Sequence, residues 1–264
     1  MEKTVKISII TVCYNAEKVI EETIRSVLAQ TYQNIEYIIV DGVSKDRTMD
    51  IIRIYEADKR IRVISEPDKG IYDAMNKGSM AAAGDYVQFL NAGDTLADER
   101  VVEKVADQIR QKPADIVYGD IIYQYPDGTT SIRVYGQFCS SLIYYLLGDC
   151  INHQAIFAKR ECFNKYKFDL SYKICADREW MIRLKKDGYT FSALNMLICA
   201  YSLDENSASI RDGDIYYEEA DRCIREHLRI GHWLYSLIDR VRHGNLSARV
   251  LHGMYKIVFL RKRS

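Results

Sequence analysis

Four short stretches gather the side chains best suited to chemistry: Thr11–Asn15 (TVCYN), Asp41–Thr48 (DGVSKDRT), Asn91–Asp94 (NAGD) and Ala176–Asp177, which leads into REWMIRL. Each lies at the end of an apolar, strand-like run. Strand ends of one open α/β sheet converge on one crevice, so residues far apart in sequence can surround a single ligand. A carboxylate at Asp41 can accept the ring N–H of uracil, a donor that cytosine and adenine lack at that place. Guanine and thymine also carry ring N–H groups, so uridine is favoured without being singled out. Tyr14 can give a ring face to a base, while Thr11 and Asn15 supply short polar groups for the crevice floor. Gly42 permits a tight turn, and Asp46 through Thr48 reads as a helix start. Taken singly, each stretch could be no more than a turn or a cap.

Two further stretches carry polar groups of interest. In Glu66–Gly78 (EPDKGIYDAMNKG), Asp68 and Lys69 fall in a loop before a helix, where a lysine and helix N-terminal amides suit phosphate. Asp73 and Asn76 face the same way one turn on, unless they only form a polar helix face. His153, in NHQAIFAKR, is a lone histidine that can contact pyrophosphate or an acceptor, or be structural.

The elements that must position these residues follow from hydrophobic periodicity. Ile7–Val12, Ile35–Val40, Ile61–Ile64 and Tyr86–Leu90 read as buried strands, separated by helices over Val19–Ala29, Thr48–Tyr55 and Ile71–Ala82. Such alternation implies parallel strands with right-handed crossovers, and the near-continuous apolar strands imply a sheet covered on both faces. Beyond it the pattern changes. A helix is expected over Asp98–Gln111, then a hairpin of Ile116–Tyr125 and Thr129–Val134 around Pro126-Asp127-Gly128. Phe138–Leu147 reads as a helix, Gln154–Ala158 as a strand and Asp177–Lys186 as a helix ending at Gly188. Thr190–Leu197 and Ala200–Leu203 read as strands, and the chain turns helical from about Ile215.

Composition bounds the class. The 264 residues are 48% hydrophobic and 28% charged, as in a globular protein with a sizeable core. The net charge is zero but uneven: after Asp239 only basic residues follow, from Arg240 to Arg263. That tail is either a solvated helix end or a basic helix touching an anionic membrane. The 7 cysteines form no CxxC pair, which predicts buried free thiols in a reducing compartment. No stretch is apolar enough for a signal peptide or a membrane span. The expectation is a cytoplasmic protein, peripheral at the inner face of the plasma membrane if the tail binds there, with no nucleic-acid partner.

Together the motifs resemble the family 2 glycosyltransferases, inverting enzymes of the GT-A fold that use nucleotide sugars, over roughly residues 5 to 205. The resemblance implies an α/β fold: a GT-A, Rossmann-like, mostly parallel sheet with helices on both faces. Residues 1–212 would form the transferase domain and 213–264 a helical extension with a basic end. NAGD occupies the place of the family's acidic metal motif, DxD or DxDD. Asn91 and Gly93 replace acids there, leaving Asp94 as the charged ligand for Mg²⁺ or Mn²⁺ and Asn91 for ribose or metal. Ala176 and Asp177 match the family's Glu-Asp pair, which makes Asp177 the general base on the acceptor hydroxyl, with Trp180 lining the acceptor side or packing in the core. The stretch Glu66–Gly78 is similar to family members that build bacterial surface polysaccharides, so a lipid-linked glycan acceptor is implied. The alternatives are a non-catalytic nucleotide-sugar-binding subunit and a sugar-nucleotide nucleotidyltransferase. The latter would call for a glycine- and basic-rich loop where this chain reads CYNAEKVI.

Overall fold

The computed structural model describes residues 4–146, 149–203 and 213–228. The basic tail, and with it the expected membrane contact, lies outside them.

Four apolar runs form the parallel half of one sheet: β1 (Ile7–Cys13), β2 (Ile35–Asp41), β3 (Ile61–Ser65) and β4 (Tyr86–Phe89), in the order β3-β2-β1-β4. β1 is buried along its whole length because helices cover both faces of the sheet. The crossovers are α1 (Ile20–Leu28), α2 (Thr48–Tyr55) and α3 (Ile71–Ala81). α3 lies unusually close to the sheet at Gly78, where an added Cβ would stand 2.5 Å from Ile10 Cγ2 and 3.2 Å from Val40 Cγ2. Glycine at that position lets the helix approach.

The second half is mixed. A two-residue strand, β5 (Thr95–Leu96), and α4 (Val101–Gln111) precede β6 (Ile116–Gln124), and β7 (Thr130–Arg133) returns antiparallel across the expected turn. A 3₁₀ turn at Gln137–Ser140 and α5 (Leu142–Leu146) stand where one helix was expected. Another 3₁₀ turn, His153–Ala155, leads into β8 (Ile156–Lys159), which joins β4 to β6 with antiparallel pairing on both sides. α6 (Arg160–Lys165) was not anticipated. α7 (Ala176–Lys186) was, to within one residue.

The two strands expected near 190–203 are a single strand, β9 (Phe191–Ser202), parallel to β6. Its register shifts beside Gly119 and Asp120, and the apparent break in the sequence pattern is this irregularity. The last described element, α8 (Gly213–Leu228), packs on α7. No helix among the described residues is long and apolar enough to cross a membrane.

Candidate active site

β1, β2 and β4 are adjacent and parallel, so their C-terminal ends open on one edge of the sheet, bringing Tyr14, Asp41 and Asn91 to one side. β8 and the turn before it close the opposite flank. There the turn Asn152–Gln154 joins two of the expected acidic positions. His153 Nδ1 lies 2.9 Å from Asp177 Oδ2, and the neighbouring Gln154 Nε2 donates to Asp94 Oδ2 at 3.1 Å. The turn is itself held by two tyrosines, since Tyr123 Oη (3.1 Å) and Tyr135 Oη both donate to Asn152 Oδ1.

Asp177 occupies the first turn of α7, where unpaired helix amides complement a negative charge. Its Oδ1 accepts the Arg178 amide at 2.7 Å and faces Tyr72 Oη at 3.3 Å. Its Oδ2 meets only His153 among the described residues. A carboxylate oxygen has two acceptor positions, so Oδ2 keeps one free. On the far side of the ring, Asn91 Nδ2 donates to His153 Nε2 at 3.0 Å. That bond puts the ring proton of a neutral His153 on Nδ1, facing Asp177. The result is a hydrogen-bonded row, Asn91–His153–Asp177, built from β4, the 152–154 turn and α7. Asn91 Oδ1 is left enclosed without a protein partner, an acceptor that a ligand hydroxyl would satisfy.

Below this row the side chains are apolar. Phe163 and Trp180 stack with centroids 4.5 Å apart, and Phe89 and Phe168 pack edgewise on Phe163. Trp180 is buried, and its indole N–H donates to the Tyr166 carbonyl at 2.8 Å. Of its two expected places, the acceptor wall and the core, it takes the core.

Other expected contacts are also turned into the fold. Thr11 is fully buried; its hydroxyl donates to the Leu90 carbonyl at 2.7 Å and lies 3.0 Å from Tyr37 Oη. Alternation along β1 points it under the sheet edge instead of into the crevice. Asn76 uses both ends of its amide on the Phe168 peptide, at 2.9 Å each, pinning the loop before α7 to α3. Asp73 Oδ2 accepts the Lys69 amide at 3.0 Å and so closes the first turn of α3. Lys69 itself is exposed in the loop before that helix.

Asp41 is fully enclosed. Its oxygens accept from the Val43 amide (3.1 Å), the Ser44 amide (3.2 Å) and Ser65 Oγ (2.8 Å), so in this arrangement the carboxylate shapes the loop instead of facing a base. Val43 carries a φ of 64°, rare for a β-branched residue, and these bonds impose it. Asn15 ties the same loop to β1, its Oδ1 accepting the Lys45 amide at 2.8 Å. Asp46 is structural, as expected: Oδ1 accepts the Thr48 amide at 3.0 Å. Of this group, Tyr14 faces outward, 57% exposed. Its ring borders Gly42, where an added Cβ would also meet Asp68 Oδ2 at 2.5 Å. Tyr14, Gly42 and Asp68 thus make a wall at the β1–β2 end that spacing alone did not reveal.

Asp94 differs most from expectation. It is 3% exposed, its Oδ1 accepts the Ser202 amide at 3.2 Å and its Oδ2 accepts Gln154. Burial pushes its carboxyl up to about 7, against smaller opposing effects from the Gln154 hydrogen bond and His153. Gly93, at φ 99°, turns the chain so that Asp94 points into the protein. A divalent cation needs several oxygen ligands. Here Gly93 has no side chain, Asp94 is engaged internally, and no group of three or more His, Cys, Asp or Glu side chains among the described residues could hold a metal ion. The NAGD residues in this arrangement do not fit a resident metal.

Tyr72 and the Asn152 hydroxyl cradle were missed at the sequence level. Tyr72 lies inside Glu66–Gly78 and Asn152 opens NHQAIFAKR, but nothing in their spacing singles them out, and only the fold brings them to Asp177 and His153.

Comparison with known proteins identifies the family. The profile described as "Glycosyl transferase family 2" matches residues 8–174, well over half of the chain. The chain belongs to glycosyltransferase family 2 and is a glycosyltransferase. A PGL/p-HBAD biosynthesis glycosyltransferase of Mycobacterium bovis is 34% identical over 180 residues, covering 67% of this chain and 68% of that protein. Glycosyltransferase GlyG of Streptococcus pneumoniae is 36% identical over 137 residues, 50% of this chain and 45% of that one.

Among solved structures, S. aureus TarS 1-349 in complex with UDP superposes with a TM-score of 0.65 at 18% identity, covering 98% of this chain and 73% of that one. The mannosyltransferase PcManGT of Pyrobaculum calidifontis, in complex with GDP-Man and Mn²⁺, gives 0.63 at 16% identity, covering 87% and 66%. These likenesses show the GT-A fold. Asp177 and α7 lie just past the residues that the family profile matches.

Proposed function

We propose that this chain moves a sugar from a nucleotide-sugar donor, a uridine diphosphate sugar by preference, to an acceptor hydroxyl with inversion at the anomeric carbon. The observation that carries the proposal is the Asn91–His153–Asp177 row at the open edge of the sheet. The nucleotide would lie across the ends of β1, β2 and β4, its base against Tyr14 and Asp68. A ribose hydroxyl would donate to the unpartnered Asn91 Oδ1. The Lys69 ammonium, at the loop before α3, would face the diphosphate. The TarS and PcManGT complexes, with UDP and GDP-Man, support a nucleotide ligand for a protein of this fold.

Asp177 would accept the proton of the acceptor hydroxyl on the free position of Oδ2. The acceptor oxygen attacks the anomeric carbon as the bond from that carbon to the diphosphate oxygen breaks, and the diphosphate leaves with the bonding pair. Asp177 needs only to be ionised and in reach at that moment. His153 donates to the same oxygen and holds the carboxylate in the plane that reaches the acceptor. A divalent cation bound together with the donor would offset charge on the departing diphosphate. The protein groups at NAGD supply no site for it alone.

The mycobacterial relative is named for PGL/p-HBAD biosynthesis, which supports a biosynthetic transfer, and a lipid-linked glycan acceptor at a membrane surface fits the basic tail. The test is a panel of nucleotide sugars with purified protein, with and without Mn²⁺, reading nucleoside diphosphate release. Release from a uridine donor that Asp177→Asn slows by about 100-fold or more is the expected result. Release by Asp177→Asn at close to the wild-type rate refutes the mechanism.

A further inference from the structure

The peptide that delivers Asp177 is held from outside the residues matched by the family profile. Three successive amides of the loop before α7 donate to one carboxylate, Glu219 of α8: Lys173 N at 2.6 Å, Ile174 N at 2.9 Å and Cys175 N at 3.0 Å. Glu219 is 7% exposed, and its two oxygens receive all three bonds. Charge-assisted bonds of this kind are among the stronger, more directional contacts a backbone can make. The carbonyl side of the same peptide is also held, because Tyr72 Oη donates to the Ile174 oxygen and stands 3.3 Å from Asp177 Oδ1. Residue 174 is therefore clamped on both edges, three positions before Asp177.

We propose that Glu219 is a positioning residue for the transfer reaction: it fixes the turn 173–175 so that α7 begins with Asp177 in register with His153. The proposal rests on the assignment of Asp177 as the base. The remaining contacts of α8 do something different. Tyr172 Oη donates to Glu226 Oε2 at 2.8 Å, the Arg222 guanidinium sits 4.2 Å from the Tyr172 ring centroid, and His227 Nε2 meets Glu179 Oε1 at 2.8 Å. These dock the helix on side chains, and Arg222 and Cys223 add bonds to the Ser171 and Cys175 carbonyls, whereas Glu219 alone among the described residues takes the three successive amides that lead to the proposed base. A glutamine at 219 has one acceptor oxygen and an NH₂ that would confront an amide N–H, so it cannot reproduce the three bonds.

The experiment compares Glu219→Gln with Glu226→Gln in the full chain by two readouts: backbone hydrogen–deuterium exchange, and diphosphate release from a panel of uridine diphosphate sugars. Glu219→Gln should speed exchange at 173–177 and lower kcat by roughly 10- to 100-fold, the scale of a small misplacement of a reacting group. KM for the donor should change less than about twofold, since the donor end of the crevice is untouched. Glu226→Gln should leave exchange at 173–175 and kcat near wild type. Unchanged exchange in Glu219→Gln overturns the proposal, whatever the turnover. An equal fall in kcat for both variants also overturns it, showing that helix docking alone matters. Turnover in Glu219→Gln equal to wild type sinks the role of Glu219 but leaves the transferase assignment standing. A wild type that releases no diphosphate from any donor sinks the role of Asp177, and this role with it.

Discussion

Asp94→Asn separates a buried structural carboxyl from a metal ligand, because the two roles predict opposite outcomes. Asp94 holds its proton up to about 7, while an aspartate in an unfolded chain releases it near 3.8. The folded state therefore binds that proton more tightly than the unfolded one. The associated stability is fully present below pH 3.8 and is lost as the pH rises through about 7. Carrying ionised Asp94 inside the fold at pH 8 then costs on the order of 4 kcal/mol relative to the protonated form. Asparagine cannot ionise and avoids this loss. Nor does the substitution add a stranded atom, because Gln154 can turn its buried, unpartnered Oε1 to accept the N–H of the introduced side-chain amide, with Nε2 taking the unpartnered place instead. Chemical denaturation at pH 4 and pH 8 checks the prediction: the stability of the variant relative to wild type should rise by on the order of 4 kcal/mol between those values. Parallel curves, with a difference below about 1 kcal/mol at both values, would refute the buried-carboxyl argument. Stabilisation of wild type by Mn²⁺ that the variant lacks, with loss of turnover, would instead establish Asp94 as a ligand.

The other predictions concern the base row and the residues that the fold uses internally. Asp177→Asn should lower kcat by about 10²–10⁴, the usual worth of a general base. His153→Ala should lower kcat by roughly 10-fold or more with donor KM little changed, and steady-state kinetics would separate the two parameters. Asn76→Leu removes both bonds to the Phe168 peptide and should cost about 1–3 kcal/mol per stranded group, with donor binding retained in calorimetry at a temperature where the variant is folded. Trp180→Ala should cost about 3–5 kcal/mol in urea denaturation, as expected for a buried aromatic; a surface position would cost little.

Much of the architecture was legible because periodicity and strand ends are local properties. Thr48–Tyr55 is a helix over the same residues that its spacing indicated, and the first four strands agree to within a residue or so at their ends. What local pattern could not show is which way a polar side chain turns at a strand end. Thr11, Asn76 and Asp94 have the residue types of ligand contacts, yet each satisfies a buried backbone or side-chain group instead. A chain must pair its enclosed polar atoms before it can offer any to a ligand. Which need is met depends on distant partners: Leu90 for Thr11, Phe168 for Asn76 and Ser202 for Asp94. The β8 segment illustrates the same limit. Its apolar run was visible, but its antiparallel insertion between β4 and β6 is a long-range fact, and it is this insertion that carries His153 to Asp177.

The setting of Asp177, the proposed base, is thereby a product of contacts between three parts of the chain that no local pattern connects. The parallel half supplies Asn91 and Tyr72, the mixed half supplies His153 through the β8 turn, and α8 supplies Glu219. No single part can orient Asp177, since the Arg178 amide donates to one carboxylate oxygen, with the Tyr72 hydroxyl packed 3.3 Å from it, while His153 constrains the other. A group held at both oxygens loses little further entropy on meeting an acceptor. The open position on Oδ2 is then aimed by the protein before any substrate arrives, and substitutions at Asn91, His153 or Tyr72 should affect one another's kinetic cost non-additively. Independent, additive losses across those three positions would mean that the row does not act as one unit.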